Sequence, residues 1–225
     1  MAKPRSEQPI TKKVRKVVDG HIKSAEKTKK KILLSVGKLF SKEGYTGLNV
    51  TRIAGEADIN PRMVYHYFGS LDNLLRIYFG EKDFWDPFYN KLIADLLTNN
   101  KPLNADDIFA ILHGQFDAIL YNKEFQRAIH WEISEKSDVM RKISDEREHV
   151  GKRLFEQTED RFKNTDIDLP ASLALQIAGI YYLGLHAKIN GSTFCGIDIN
   201  TGEGRSRVEN ALKKIIEDLY KGKSI

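Results

Sequence analysis

Cysteine is almost absent from this sequence of 225 residues, which contains only Cys195. A single cysteine excludes an intramolecular disulfide and a zinc site built on several cysteines. It favours a reducing compartment, so we expect a cytoplasmic protein. The basic amino terminus lacks the following apolar stretch that a secretory signal requires.

Long apolar runs are also scarce. The longest stretch without a charged residue covers residues 169–187, which is close to membrane-spanning length. Pro170, Ser172, Gln176 and two glycines interrupt it. We therefore expect no membrane span here, but a helix that is buried on two sides, by its own core and by a partner chain.

The motifs of familiar enzyme chemistry are missing. The sequence has no G-x-S-x-G, no H-E-x-x-H and no Walker loop. Gly202-x-Gly204 lacks a third glycine, and Glu146-x-x-His149 occurs once where a di-iron bundle needs two copies. The sequence predicts no catalytic activity, no cofactor and no metal site.

Positive charge is concentrated near the amino terminus. Residues 1–71 contain 15 lysines and arginines and 6 acidic residues, whereas residues 72–225 contain 21 and 25. This asymmetry indicates a nucleic-acid-binding domain on an acidic body. A basic disordered tail is the alternative, because residues 3–31 alone carry eleven of the positive charges.

Helical periodicity extends over most of the chain and predicts an all-α protein. Residues 1–23 read as a basic flexible arm, residues 24–70 as a three-helix DNA-binding domain with a helix-turn-helix, and residues 71–225 as a helical regulatory and dimerisation domain. Asn49 and Asn60-Pro61 are start signals for the second and third helices, and Gly69 is a stop signal. On spacing alone, any small helical domain remains an alternative.

Residues 27–75 resemble the tetracycline-repressor (TetR) family of bacterial transcription regulators. The resemblance rests on an ordered set of short motifs: Leu39-Phe40, Gly44, Ile53-Ala54, Ala57-Asp58-Ile59-Asn60, Val64-Tyr65-His66-Tyr67-Phe68 and Leu74-Leu75. Four positions depart from the family pattern, namely Asn49 and Asn60 at helix caps, Asp58 in place of a glycine, and Leu71 in place of a phosphate-contacting lysine.

The resemblance implies a homodimeric repressor. Its last two helices would form the dimer interface, and a small-molecule inducer would bind the carboxy-terminal domain and release a palindromic DNA operator.

A recognition helix presents its amino-terminal residues to base edges in the major groove, so the third helix supplies the base-reading candidates. The predicted DNA-binding residues are Asn49, Thr51, Arg52, Asn60, Pro61, Arg62, Met63, Tyr65, His66 and Tyr67. Arg62 is the best candidate for a guanine edge, and a phosphate contact or a solvated surface charge is the equally weighted alternative.

The inducer site should be concave, mostly apolar and supplied with a few polar groups. The candidate linings are Phe84, Trp85, Phe88, Tyr89, Phe109, His113, Phe116, Trp131 and Tyr181, and they favour a hydrophobic or aromatic ligand. Ordinary core packing is the competing explanation for most of these rings.

Two functional alternatives keep the fold: a DNA-binding protein controlled by a protein partner or acting structurally on the chromosome, and a helical ligand-binding protein with a vestigial DNA-binding head.

Overall fold

The computed structural model describes residues 15–81, 87–99 and 101–222. These residues form eleven α-helices and a short 3-10 helix, Tyr45–Gly47. The α-helices are α1 (Arg15–Glu43), α2 (Val50–Glu56), α3 (Pro61–Phe68), α4 (Leu71–Glu81), α5 (Pro87–Asn99), α6 (Ala105–Tyr121), α7 (Lys123–Ser134), α8 (Asp138–Glu156), α9 (Glu159–Phe162), α10 (Leu169–Asn190) and α11 (Gly202–Tyr220). The predicted all-α fold is confirmed.

The first three helices form the head of the molecule. Their apolar positions recur at helical spacing and meet in one core, which includes Ile32, Val36, Phe40, Ile53, Ala54, Ala57, Val64 and Phe68. Ala54 and Ala57 are fully buried, which allows α2 to pack closely against its neighbours. This arrangement leaves the opposite faces of α2 and α3 in solvent.

Helix α1 begins at Arg15, whereas the sequence predicted a start at Ser24 after a flexible arm. Lysine and arginine are good helix formers, and the single Gly20 costs only about 1 kcal/mol in a helix interior. The last proline before α1 is Pro9. Local propensity therefore allows the helix to begin at Arg15.

Other boundaries differ for reasons that involve distant residues. Helical periodicity predicts one long helix over residues 137–162, but the structure divides it into α8 and α9. At the break, the Gln157 carbonyl accepts from the Leu103 backbone N–H (3.3 Å), and the buried Thr158 hydroxyl donates to the Phe155 carbonyl (2.7 Å). Pro87 predicts a kink or break near Asp86 in a helix over residues 71–97, but residues 82–86 lie outside the described residues.

The body is organised around α6, which packs most extensively against α10 and then against α11. Leu112, Phe116 and Ile119 of α6 are buried between these partners. Gly184 of α10 lies directly against Ile119, because a Cβ atom at Gly184 would be 2.6 Å from Ile119 Cγ1. The close approach of α6 and α10 depends on this missing side chain.

Helix α10 has an apolar outer face as well as a buried inner face. Leu175, Tyr182 and Ile189 recur every seven residues and are 77, 54 and 58% exposed. They therefore form one stripe along the outside of the helix. Among the described residues, no helix is long and apolar enough to cross a membrane.

Gly184→Ala should lower the free energy of unfolding by about 1–3 kcal/mol, because the new methyl group overpacks the contact with Ile119. Gly55→Ala is the matched control, since a Cβ there meets nothing within 4 Å. It should raise stability by up to about 1 kcal/mol through helix propensity. Chemical denaturation measures both, and equal stability of the two variants would contradict the close approach.

Candidate nucleic-acid interface

Asparagine side chains fix the starts of α2 and α3. Asn49 Oδ1 accepts from the Arg52 backbone N–H (3.0 Å), and Asn60 Oδ1 accepts from the Arg62 backbone N–H (2.9 Å). Pro61 occupies the first helical turn, where its missing N–H costs nothing. The asparagines predicted at these positions are therefore capping residues, and both are exposed.

The turn between α2 and α3 is a Schellman motif. Asp58 has a left-handed backbone, with φ of 48°. The Ile59 N–H donates to the Ala54 carbonyl and the Asp58 N–H to the Gly55 carbonyl, both at 3.0 Å. Asp58 thus adopts the conformation that favours glycine, and the turn is kept without a glycine.

Helix α3 separates its residues into an inner and an outer face. Val64 and Phe68 are buried, whereas Pro61, Arg62, Tyr65 and His66 are exposed; Met63 and Tyr67 are half-buried. The Tyr65 side chain is 54% exposed although it is aromatic. Gly69, with φ of 77°, ends the helix after two turns. The structure therefore brings the predicted base-reading residues together on one solvent-facing surface.

Thr51 and Arg52 are also exposed at the start of α2. The Arg52 guanidinium, however, donates to Glu43 of α1 at 2.6 Å. A phosphate would have to compete with this carboxylate. The sequence offers no local signal for the pair, because the two residues meet only when α1 and α2 pack.

Three ion pairs connect α1 to α2 and to the α2–α3 turn in antiparallel order. Glu43 pairs with Arg52, Lys38 Nζ is 3.2 Å from Glu56, and Lys31 Nζ is 3.9 Å from Asp58. Exposed pairs of this kind contribute little stability, but their order shows how α1 runs relative to α2. Followed toward its amino terminus, α1 passes the α2–α3 turn.

Leu71 is half-buried and packs against the core of the head. It therefore has an apolar role where the resemblance implied a phosphate contact. The adjacent Ser70 hydroxyl accepts from the Asn73 backbone N–H (3.1 Å), and Asn73 Nδ2 donates to the Phe68 carbonyl (2.8 Å). These bonds join α3 to α4 rigidly.

The predicted inducer-contacting residues divide among separate places. Phe84, Trp85 and the side chain of Phe88 lie outside the described residues. Phe109 and His113 are neighbours on α6, with ring centroids 5.8 Å apart and Glu209 of α11 3.5 Å from the imidazole. Phe116 is fully buried in the body core.

Tyr89 and Tyr181 are brought together in the body beside Gln115. The Tyr181 hydroxyl donates to Gln115 Oε1 at 2.8 Å. Burial raises the pKa of both tyrosines above the ordinary range, and at Tyr181 the nearby Arg147 guanidinium partly offsets this increase. Both hydroxyls therefore remain protonated donors at neutral pH.

An ion pair lies next to these tyrosines. Arg147 of α8 binds Glu132 of α7, and the Ser144 hydroxyl donates to the same carboxylate at 3.1 Å. We call Tyr89, Gln115, Glu132, Arg147 and Tyr181 the body polar cluster. Sequence analysis missed Gln115, Glu132 and Arg147, because each reads as a surface residue until five helices bring them together.

Trp131 lies at the joint between head and body. Its ring stacks on Tyr45 at 5.5 Å with an interplanar angle of 11°, and the Tyr45 hydroxyl donates to Glu135 at 2.7 Å. Phe40 of α1 and Phe79 of α4 complete the aromatic cluster, with centroids 6.2 and 5.7 Å from Trp131. Trp131 is therefore placed to join the domains.

The chain is similar to known bacterial transcription regulators. Residues 37–76 match the model of bacterial regulatory proteins of the tetR family. The HTH-type transcriptional repressor NicS of Pseudomonas putida is 28% identical over 184 residues, which are 78% of this chain and 84% of that protein.

Solved structures show the same fold. HlyIIR, crystallised as a mutant with a linker in place of one segment, superposes with a TM-score of 0.55 at 22% identity, over 84% of this chain and 97% of that one. NalD of Pseudomonas aeruginosa, the secondary repressor of the MexAB-OprM multidrug efflux pump, gives a TM-score of 0.50 at 17% identity, over 88% and 96%.

Asp58→Gly should make the protein more stable than Asp58→Ala by about 1 kcal/mol, because only glycine adopts the left-handed conformation without steric cost. Both variants lose the same contact with Lys31, so their difference isolates the backbone. Urea denaturation monitored by circular dichroism measures it. An alanine variant as stable as the glycine variant would contradict the positive φ at residue 58.

Proposed function

We propose that this chain is a DNA-binding transcriptional regulator similar to bacterial regulatory proteins of the tetR family, and that it acts as a homodimeric repressor that a small molecule releases from an inverted-repeat operator in the cytoplasm. The observation that carries the proposal is the outer face of α3, where Arg62, Tyr65 and His66 are exposed beside a capped amino terminus. A helix of this kind fits the major groove with its first turns at the base edges.

Each exposed residue of α3 has a distinct role in the proposal. The Arg62 guanidinium can donate to O6 and N7 of one guanine, which makes it the main base reader. Pro61 and Met63 offer apolar contacts to thymine methyl groups. Tyr65, His66 and Tyr67 are placed further along the helix, where hydroxyl and imidazole groups can meet phosphates. Thr51 and the start of α2 add backbone contacts to the adjacent strand.

The α10 stripe supports the proposed dimer. Leu175, Tyr182 and Ile189 expose a continuous apolar surface that a single protomer leaves in water. Packing two copies of α10, with α11 alongside, would bury this stripe in a four-helix interface. Two-fold symmetry then presents two copies of α3 to half-sites about one helical turn of DNA apart.

The body polar cluster is the proposed effector site. It places hydrogen-bonding groups next to buried aromatic rings, which suits a small molecule with an apolar or aromatic frame and a polar substituent. Glu132 of this cluster directly follows Trp131 in α7, and Glu135 caps the carboxy-terminal end of the same helix. An effector that displaces Glu132 from Arg147 would move α7 and, through Trp131, the head.

Repression and release then follow from two states of one dimer. The effector binds more tightly to the state in which the two heads no longer match successive major grooves. Its binding shifts the population toward that state and lowers operator affinity by the same coupling free energy. A small displacement is sufficient, because the half-site spacing is set by the DNA.

Selection of random duplexes on the purified protein at about 150 mM salt should enrich an inverted repeat, because non-specific attraction is weak at that salt concentration. Arg62→Ala with Tyr65→Ala should then weaken binding of the selected duplex at least about 30-fold, from the loss of one bidentate base contact and one backbone contact. Fluorescence anisotropy measures the Kd.

The matched control is Arg141→Ala with Tyr121→Ala, since both residues are exposed on the body. It should bind as the wild type does. Unchanged binding by the α3 variant would refute the recognition-helix assignment. The absence of any enriched sequence would favour a protein that holds DNA without reading it.

Leu175→Asp with Tyr182→Asp should convert the dimer into a monomer, because two carboxylates would be buried without partners in the proposed interface. Sedimentation velocity should show half the mass, and the affinity for the full inverted repeat should fall while a single half-site is bound as before. Ile133→Asp is the control, since Ile133 is 71% exposed on α7. A dimeric α10 variant would place the interface elsewhere.

A further inference from the structure

Helix α1 is longer than the head requires. From Ser24 onward, where its side chains are described, the first buried residue is Ile32, and no residue from Ser24 to Lys31 is buried. The helix nevertheless begins at Arg15. The 17 residues from Arg15 to Lys31 span about 25 Å of helix. We call this segment the α1 extension.

The α1 extension is strongly basic. It contains seven lysines and arginines and two acidic residues. Lys27, Lys29 and Lys30 are exposed and form no ion pair with any residue that the structure describes. Lys31 and Lys38, by contrast, are paired with Asp58 and Glu56. The unpaired lysines therefore form a positive surface that begins where the α1–α2 contact ends.

The direction of the α1 extension follows from the three ion pairs that connect α1 to α2 and to the α2–α3 turn. Their antiparallel order carries the amino-terminal half of α1 beyond the carboxy-terminal end of α2. The α2–α3 turn lies at that end, and α3 begins immediately after it at Pro61. The extension therefore begins beside the α2–α3 turn and runs away from α2.

We propose that the α1 extension binds the phosphate backbone of the DNA that flanks each half-site, outside the bases that α3 reads. The inference rests on the proposed DNA-binding function. Duplex DNA is the partner that fits, because Lys27 lies one helical turn before Lys31, whose partner Asp58 belongs to the α2–α3 turn, and a phosphate backbone is an extended line of negative charge. At 3.4 Å per base pair, a 25 Å helix covers about 7 base pairs of flanking duplex.

These contacts make the DNA-binding affinity depend on salt concentration and on the length of the duplex. Each lysine that neutralises a phosphate releases counterions, and the slope of log K against log salt becomes steeper by about 0.9 for each contact. These contacts carry no sequence information of their own. They therefore raise the affinity for a half-site with long flanks and leave its base preference unchanged.

Substitution of Lys27, Lys29 and Lys30 by glutamine in the full chain tests the proposal. Glutamine keeps high helix propensity, so the helix should persist, as circular dichroism can verify. Lys142→Gln with Lys152→Gln and Lys163→Gln is the control, because it removes the same charge from exposed positions on the body. Binding is measured by anisotropy between 50 and 300 mM salt, on the selected operator with flanks of about 10 base pairs and on the same operator trimmed to its half-sites.

We expect the wild type and the control variant to bind the long duplex about tenfold or more tightly than the trimmed one at 150 mM salt, and the α1 variant to lose this difference. The salt slope of the α1 variant on the long duplex should be shallower by at least about 0.9. In hydroxyl-radical cleavage, the wild type and the control variant should protect the flanks, and the α1 variant should not.

Two results would overturn the proposal: equal binding of long and trimmed operators by the wild type, or an α1 variant with unchanged slope and unchanged flank protection. Either result leaves the proposed function intact, provided that the Arg62 and Tyr65 variant still loses operator binding. Failure of the wild type to select any operator is a different outcome, because it would refute the proposed function itself.

Discussion

The packing of Phe40 is the contact on which the two parts of the molecule depend. Its ring is fully buried, lies 4.9 Å from Phe79 of α4 in an edge-on arrangement, and borders Trp131 of α7. Phe40 belongs to the core of the head, whereas its partners belong to the body. Contacts with Phe79 and Trp131, which both lie beyond the head in the chain, therefore hold the head against the body.

Much of the head could be predicted from sequence, because its boundaries are set by local chemistry. Asn49, Asn60 and Gly69 determine the ends of α2 and α3 through bonds within a few residues. The division between α8 and α9 could not be predicted in this way. It depends on a bond from Leu103, which lies more than fifty residues before the break.

The candidate site was predictable to a similar extent. Helical spacing alone puts Arg62, Tyr65 and His66 on one face once Val64 and Phe68 are assigned to the core. The partner of Arg52 was not predictable, because Glu43 belongs to another helix. Tyr181 joins a polar cluster, whereas Phe116 is packed in the core. Helical spacing alone could not distinguish these two aromatic residues.

The shared aromatic cluster also has a consequence for folding cooperativity. A cut near residue 70 would follow the functional boundary, but it would remove Phe79 and Trp131 and leave Phe40 facing water. Loss of contacts of this size approaches the whole stability margin of a small domain. Head and body should therefore unfold in one cooperative transition, and the head of this protein is a poor candidate for grafting onto an unrelated scaffold.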